Sequence, residues 1–87
     1  MRESSEDLTR AFGLAVRTAR HRMGFSQEKL AESCDLHRTY IGSVERGERN
    51  VTLQNIFAIS AALNISASEL LKDTEDLMTA SPERGGQ

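Results

Sequence analysis

Arg38, Arg46 and Arg49 fall together with Tyr40 in the stretch "LHRTYIGSVERGERN", residues 36–50, which reads as a short helix stopped at Gly47 and followed by a polar loop. A guanidinium group carries its N–H donors in a rigid fork that fits phosphate oxygens, or the O6 and N7 of guanine, two at a time. Thr39, next to Arg38, offers a hydroxyl to a base edge or a methyl group to thymine. The parts of a catalyst do not accompany these residues. There is no nucleophile–base pair and no glycine-rich phosphate loop, and His21, His37 and Cys34 are scattered without metal-ligand spacing. The reading is a binding surface for a polyanion rather than an enzyme, with no metal and no cofactor expected.

The chain around that stretch is small. Its 87 residues, 38% hydrophobic and 28% charged, suit one globular domain and are too apolar for a wholly disordered chain. A core of this size supplies only about 3–5 kcal/mol, so a homodimer is expected as a source of further stability. The formal net charge is -2, yet its distribution is uneven: from Arg17 to Asn50 seven basic residues stand against five acidic ones, while the remainder holds four basic and eight acidic. This pattern suits one DNA-facing surface with a repelling back, and equally an ordinary mixed surface. Cys34 has no partner for an internal disulfide and reads as a small buried hydrophobe. No apolar run approaches the roughly 20 residues of a membrane span, and "MRESSEDLTR" lacks the apolar core of a signal peptide. The cytoplasm is the expected compartment, with no membrane partner.

Five helices must position the cations. Leu8, Phe12, Ala15 or Val16, Ala19 and Met23 recur at three- and four-residue spacing, with Ser5 as the cap and Gly24 as the stop. Ser26 caps "QEKLAESC", whose Leu30, Ala31 and Cys34 face inward. "DLH" allows only a sharp corner, and the next helix runs from Arg38 to Gly47 with Ile41, Val44 and Tyr40 inward. Thr52 caps a fourth helix with a wide apolar stripe of Leu53, Ile56, Phe57, Ile59, Ala62 and Leu63, ended by Asn64. Ser66 and Glu69 have capping-box spacing and open a short fifth helix. No period-two alternation calls for a strand. The fold class expected is all-α, with residues 1–6 as a flexible N-terminus, 7–78 as the domain and 79–87 as a flexible tail.

A short helix, a corner of about three residues and a second short helix form a helix-turn-helix candidate. The segment "FSQEKLAESCDLHRTYIGSVERGERNVTLQNIFAIS", residues 25–60, resembles the λ-repressor-like DNA-binding domains of bacterial and phage regulators. Within it, "RTYIGSVERGERNVTL" is most similar to the controller proteins of restriction–modification systems, which are small, all-helical, homodimeric transcription factors. The resemblance spans roughly residues 7–72.

That resemblance, set beside the residues, assigns roles. Arg38 and Thr39 open the recognition helix and are the expected base readers, the other reading of Arg38 being a surface pair with Glu32 or Asp35. Ser43, one turn on beside Gly42, is a further candidate reader. Gln27, at the start of the second helix, Tyr40, Arg46, Arg49, Asn50 and Thr52 are the expected contacts to the DNA backbone. For Tyr40 the alternative is packing against the second helix, and for Arg46 it is simple complementation of a helix dipole with Arg49 solvated. In similar repressors the positions of Arg20 and Glu45 form a partly buried ion pair that sets the angle of the recognition helix. His37 is a weak cap. Ile65, Leu70, Leu71 and Leu77 are the expected dimer surface. The resemblance implies a homodimer on a pseudo-palindromic operator of a restriction–modification operon, with RNA polymerase as a further partner. The competing readings are a phage-repressor or antitoxin-type regulator, and a protein-interaction module that has kept the helical fold.

Overall fold

The computed structural model describes residues 5–79, so the expectations for residues 1–4 and 80–87 lie outside the described residues. Five helices follow one another: α1 Ser5–Met23, α2 Gln27–Ser33, α3 Arg38–Glu45, α4 Leu53–Ala62 and α5 Ala67–Thr79. Among the described residues there is no strand, and no helix is long and apolar enough to cross a membrane.

The ends of the helices follow from local chemistry. Ser26, Thr52 and Ser66 each accept a hydrogen bond from the backbone N–H three residues on, at 3.0, 3.1 and 3.0 Å, which satisfies a donor that the first turn leaves open. At the other ends, Gly24, Asp35, Gly47 and Asn64 all have left-handed backbone, with φ of 72°, 58°, 78° and 62°. Each lies in a paired closure of the Schellman type. After α3, Gly47 N donates to Val44 O at 3.0 Å and Glu48 N donates to Ser43 O at 2.9 Å. Gly47 is doubly constrained, because a Cβ there would also stand 2.9 Å from Arg10 Cα of α1.

The long α1 is the spine, with α3 and α5 packed on it; α2 packs on α3, and α4 on α5. The crossing of α1 and α3 is close at Gly13, where a Cβ would lie 2.3 Å from Val44 O, a backbone atom that cannot step aside. Val16, Leu30, Ile41, Val44, Ile59, Leu63 and Leu70 fill the centre at 2% exposure or less, one or more from every helix. Fully burying such a side chain stabilises the fold by about 1.5–3 kcal/mol. Both Ala15 and Val16 are buried.

Some inward assignments are corrected. Leu8 and Met23 are exposed by 48% and 39%, because they sit near the ends of α1, beyond most of its packed length. On α4 the core reaches Ile59 and Leu63, while Leu53 and Phe57, one turn apart, are 67% and 58% exposed. Cys34 is half-buried, its thiol donating to Leu30 O at 3.1 Å, and burial pushes the thiol above its ordinary pKa.

Candidate nucleic-acid interface

Helices α2 and α3, joined by residues 34–37, form a helix-turn-helix. The corner depends on Asp35 in left-handed backbone, which a short polar side chain tolerates better than a branched one. Because His37 caps α3 without any side-chain hydrogen bond, the first turn of α3 keeps its backbone donors open beside two exposed side chains, Arg38 and Thr39. No ion pair among the described residues engages Arg38, so the alternative partners Glu32 and Asp35 do not hold it. At this end α3 offers a cation, a hydroxyl and a methyl group to the outside.

The far end of α3 is tied down. Arg20 Nε donates to Glu45 Oε2 at 2.6 Å and Nη2 donates to Oε1 at 3.0 Å, a two-pronged pair whose side chains are 9% and 4% exposed. Arg20 Nη1 donates to Phe25 O at 2.8 Å, and Gln27 Nε2 donates to Glu45 Oε1 at 3.1 Å. One carboxylate thereby joins α1, the start of α2 and α3, which fixes the angle at which α3 leaves the body. Gln27, assigned to the DNA backbone, also belongs to this network. Gly42 lies beneath it: a Cβ at that position would meet Arg46 Nη1 at 3.2 Å and Gln27 Oε1 at 3.6 Å. The glycine is buried and makes room for two polar side chains.

Around this core stand the remaining cations. Arg46 pairs with Glu48 through Nε at 3.0 Å and Nη2 at 3.2 Å, both side chains being mostly exposed. The Arg46 hydrogen bond holds the Glu48 carboxyl below its ordinary pKa. Arg49 and Asn50 are exposed on the loop before α4, while the Thr52 side chain is engaged as the α4 cap. Tyr40 is half-buried in the core margin; its hydroxyl accepts from Asn55 Nδ2 at 3.1 Å and the Arg49 guanidinium lies 5.7 Å from its ring centroid. Asn55, on α4, was not singled out by the sequence, since nothing local marks a hydrogen bond between residues fifteen apart.

Two assignments fail on burial. Ser43 is 5% exposed, with its hydroxyl donating to Tyr40 O at 2.7 Å and accepting from Arg49 Nε at 3.0 Å, so it does not face outward as a base reader. Leu70 is fully buried in the protomer's own core and does not belong to a dimer surface. Ile65 and Leu77 are half-buried against that core, and Leu71 is 38% exposed.

Known proteins share this arrangement. A family model described as helix-turn-helix matches residues 16–70. The chain is 55% identical over 64 residues to the control protein C.BamHI of Bacillus amyloliquefaciens, covering 72% of this chain and 79% of that protein. The crystal structure of the restriction–modification controller protein C.AhdI from Aeromonas hydrophila superposes with a TM-score of 0.70 at 47% identity, over 71% of this chain and 94% of that one. C.Esp1396I, a controller protein solved as a tetramer on its natural 35-base-pair operator, superposes with a TM-score of 0.75 at 28% identity, over 82% and 93% of the two chains. With its helix-turn-helix, its exposed Arg38 and Thr39 at the start of α3 and this degree of identity, the chain belongs to the helix-turn-helix family of restriction–modification controller proteins.

Proposed function

We propose that the protein is a sequence-specific transcriptional regulator that binds a pseudo-palindromic operator as a homodimer and controls a restriction–modification operon. The observation that carries this reading is the exposed Arg38, in no ion pair among the described residues, beside Thr39 at the open N-terminus of α3, on a helix whose other end is locked by Arg20 and Glu45. A recognition helix enters the major groove with its N-terminal residues against base edges. Arg38 then makes the bidentate contact to guanine, and Thr39 meets a neighbouring base. Arg46, Arg49, Asn50, Tyr40, Gln27 and the backbone amides at Thr52 hold the sugar–phosphate backbone on either side.

Dimerisation is supported by uncovered apolar surface: Leu53, Phe57 and Leu71 are 67%, 58% and 38% exposed. Two copies related by a twofold axis place their α3 helices in successive major grooves, about 10 bp apart. Function in the cytoplasm, and contact with RNA polymerase when the dimer activates, complete the proposal.

Selection of bound duplexes from a random DNA pool tests it directly. The expected outcome is an inverted repeat with half-sites about one helical turn apart. A bound pool with no enriched sequence would refute the reading and favour a protein-interaction module.

A further inference from the structure

Ser43 departs from its expected role in an informative way. Buried at 5% exposure, its hydroxyl needs one partner to be satisfied, and Tyr40 O at 2.7 Å provides it. Arg49 is exposed and needs no protein partner at all. Even so, Arg49 Nε donates to Ser43 Oγ at 3.0 Å, while the same guanidinium lies 5.7 Å from the Tyr40 ring centroid. The Tyr40 phenol is held in turn by Asn55 Nδ2 at 3.1 Å. A hydrogen bond and a cation–π contact are independent restraints, and together they limit the rotation of a side chain that is otherwise free. The bond to Ser43 uses only Nε. Both Nη groups of Arg49 stay without a protein acceptor among the described residues.

We propose that Ser43 is a positioning residue for DNA binding: by accepting from Arg49 Nε it holds the guanidinium against Tyr40, with both amino groups presented to the sugar–phosphate backbone before DNA arrives. This rests on the reading of Arg49 as a phosphate contact. A pre-ordered arginine loses less rotamer freedom on binding than a loose one, so the latch favours affinity without touching DNA.

The test compares wild type, Ser43→Ala, Arg49→Ala and the double variant on the duplex enriched from the random pool, alongside ¹⁵N spectra of arginine side chains in the free proteins. Alanine at position 43 adds no volume and suits a helix, and equal urea midpoints would show that the fold is kept. The Arg49 Nε–H signal should be resolved and slow to exchange in wild type, and shifted and fast in Ser43→Ala. Ser43→Ala should weaken binding roughly two- to tenfold per half-site when Arg49 is present, and leave it unchanged in the Arg49→Ala background. An Arg49 Nε–H signal indifferent to Ser43→Ala, or equal weakening in both backgrounds, would overturn the positioning role. Wild-type binding by Arg49→Ala would overturn the phosphate contact and the positioning role together, with the spectrum still showing whether the latch exists.

Discussion

Replacing Arg20 by alanine should cost more than any surface change in this protein. The arginine gives three hydrogen bonds, two to Glu45 at 2.6 and 3.0 Å and one to Phe25 O at 2.8 Å. Its removal leaves a Glu45 carboxylate that is 4% exposed with Gln27 Nε2 as its remaining side-chain donor. Stranding one partner of a buried pair costs about 3–5 kcal/mol. A domain of this length is stable by about 4–13 kcal/mol in all, so the variant should lose about a quarter or more of that and melt at least about 12 °C lower. Urea unfolding at fixed protein concentration, with m unchanged, measures the loss. Arg20→Met combined with Glu45→Met removes both charges and should recover most of the stability, because packed apolar groups replace a buried pair at little cost. A loss below about 1 kcal/mol in Arg20→Ala, the range of an exposed ion pair, would refute the argument that this pair anchors α3.

Further outcomes are expected at the surface. Phe57→Asp should turn a dimer into a folded monomer in sedimentation velocity, whereas Leu70→Asp should unfold the protomer; a Phe57→Asp protein that remains dimeric removes α4 from the interface. Glu48→Gln releases Arg46 and takes a carboxylate away from the loop proposed to meet DNA, so DNA binding at low salt should tighten roughly two- to fivefold, as read by fluorescence anisotropy. Unchanged affinity would mean that Arg46 meets no phosphate. In the wild type, the logarithm of the binding constant should fall with the logarithm of salt by about 0.9 per neutralised phosphate, and Arg46→Ala should make that slope shallower.

What the sequence makes legible is what local chemistry dictates. Ser26, Thr52 and Ser66 cap helices, and Gly24, Gly47 and Asn64 end them, through contacts no more than five residues along the chain. The exposed pair Arg38 and Thr39 follows from its place at the start of α3, and the link between Arg20 and Glu45 from resemblance to similar repressors. Illegible features depend on packing between helices. Leu70 and Leu71 are adjacent, yet about 100° of helical rotation puts one in the core and leaves the other exposed. The stripe on α4 is wider than the surface that α4 has to cover, and nothing in its periodicity says that Leu53 and Phe57 lie on the uncovered side. Ser43 reads as an outward polar residue, yet it is buried with its hydroxyl between Tyr40 O and Arg49 Nε, and Gly13, which permits the close approach of α1 and α3, has no local mark as a contact.

The central claim is that the N-terminus of α3 reads bases through Arg38. It is tested most directly by titrating Arg38→Ala against the selected operator, a set of its single-base variants and a scrambled duplex. The expected result is a loss of about 1–3 kcal/mol per half-site on the operator, discrimination abolished at one base position, and binding to scrambled DNA changed far less. Equal losses on operator and scrambled duplex would contradict it, leaving Arg38 as one more contact to the phosphate backbone.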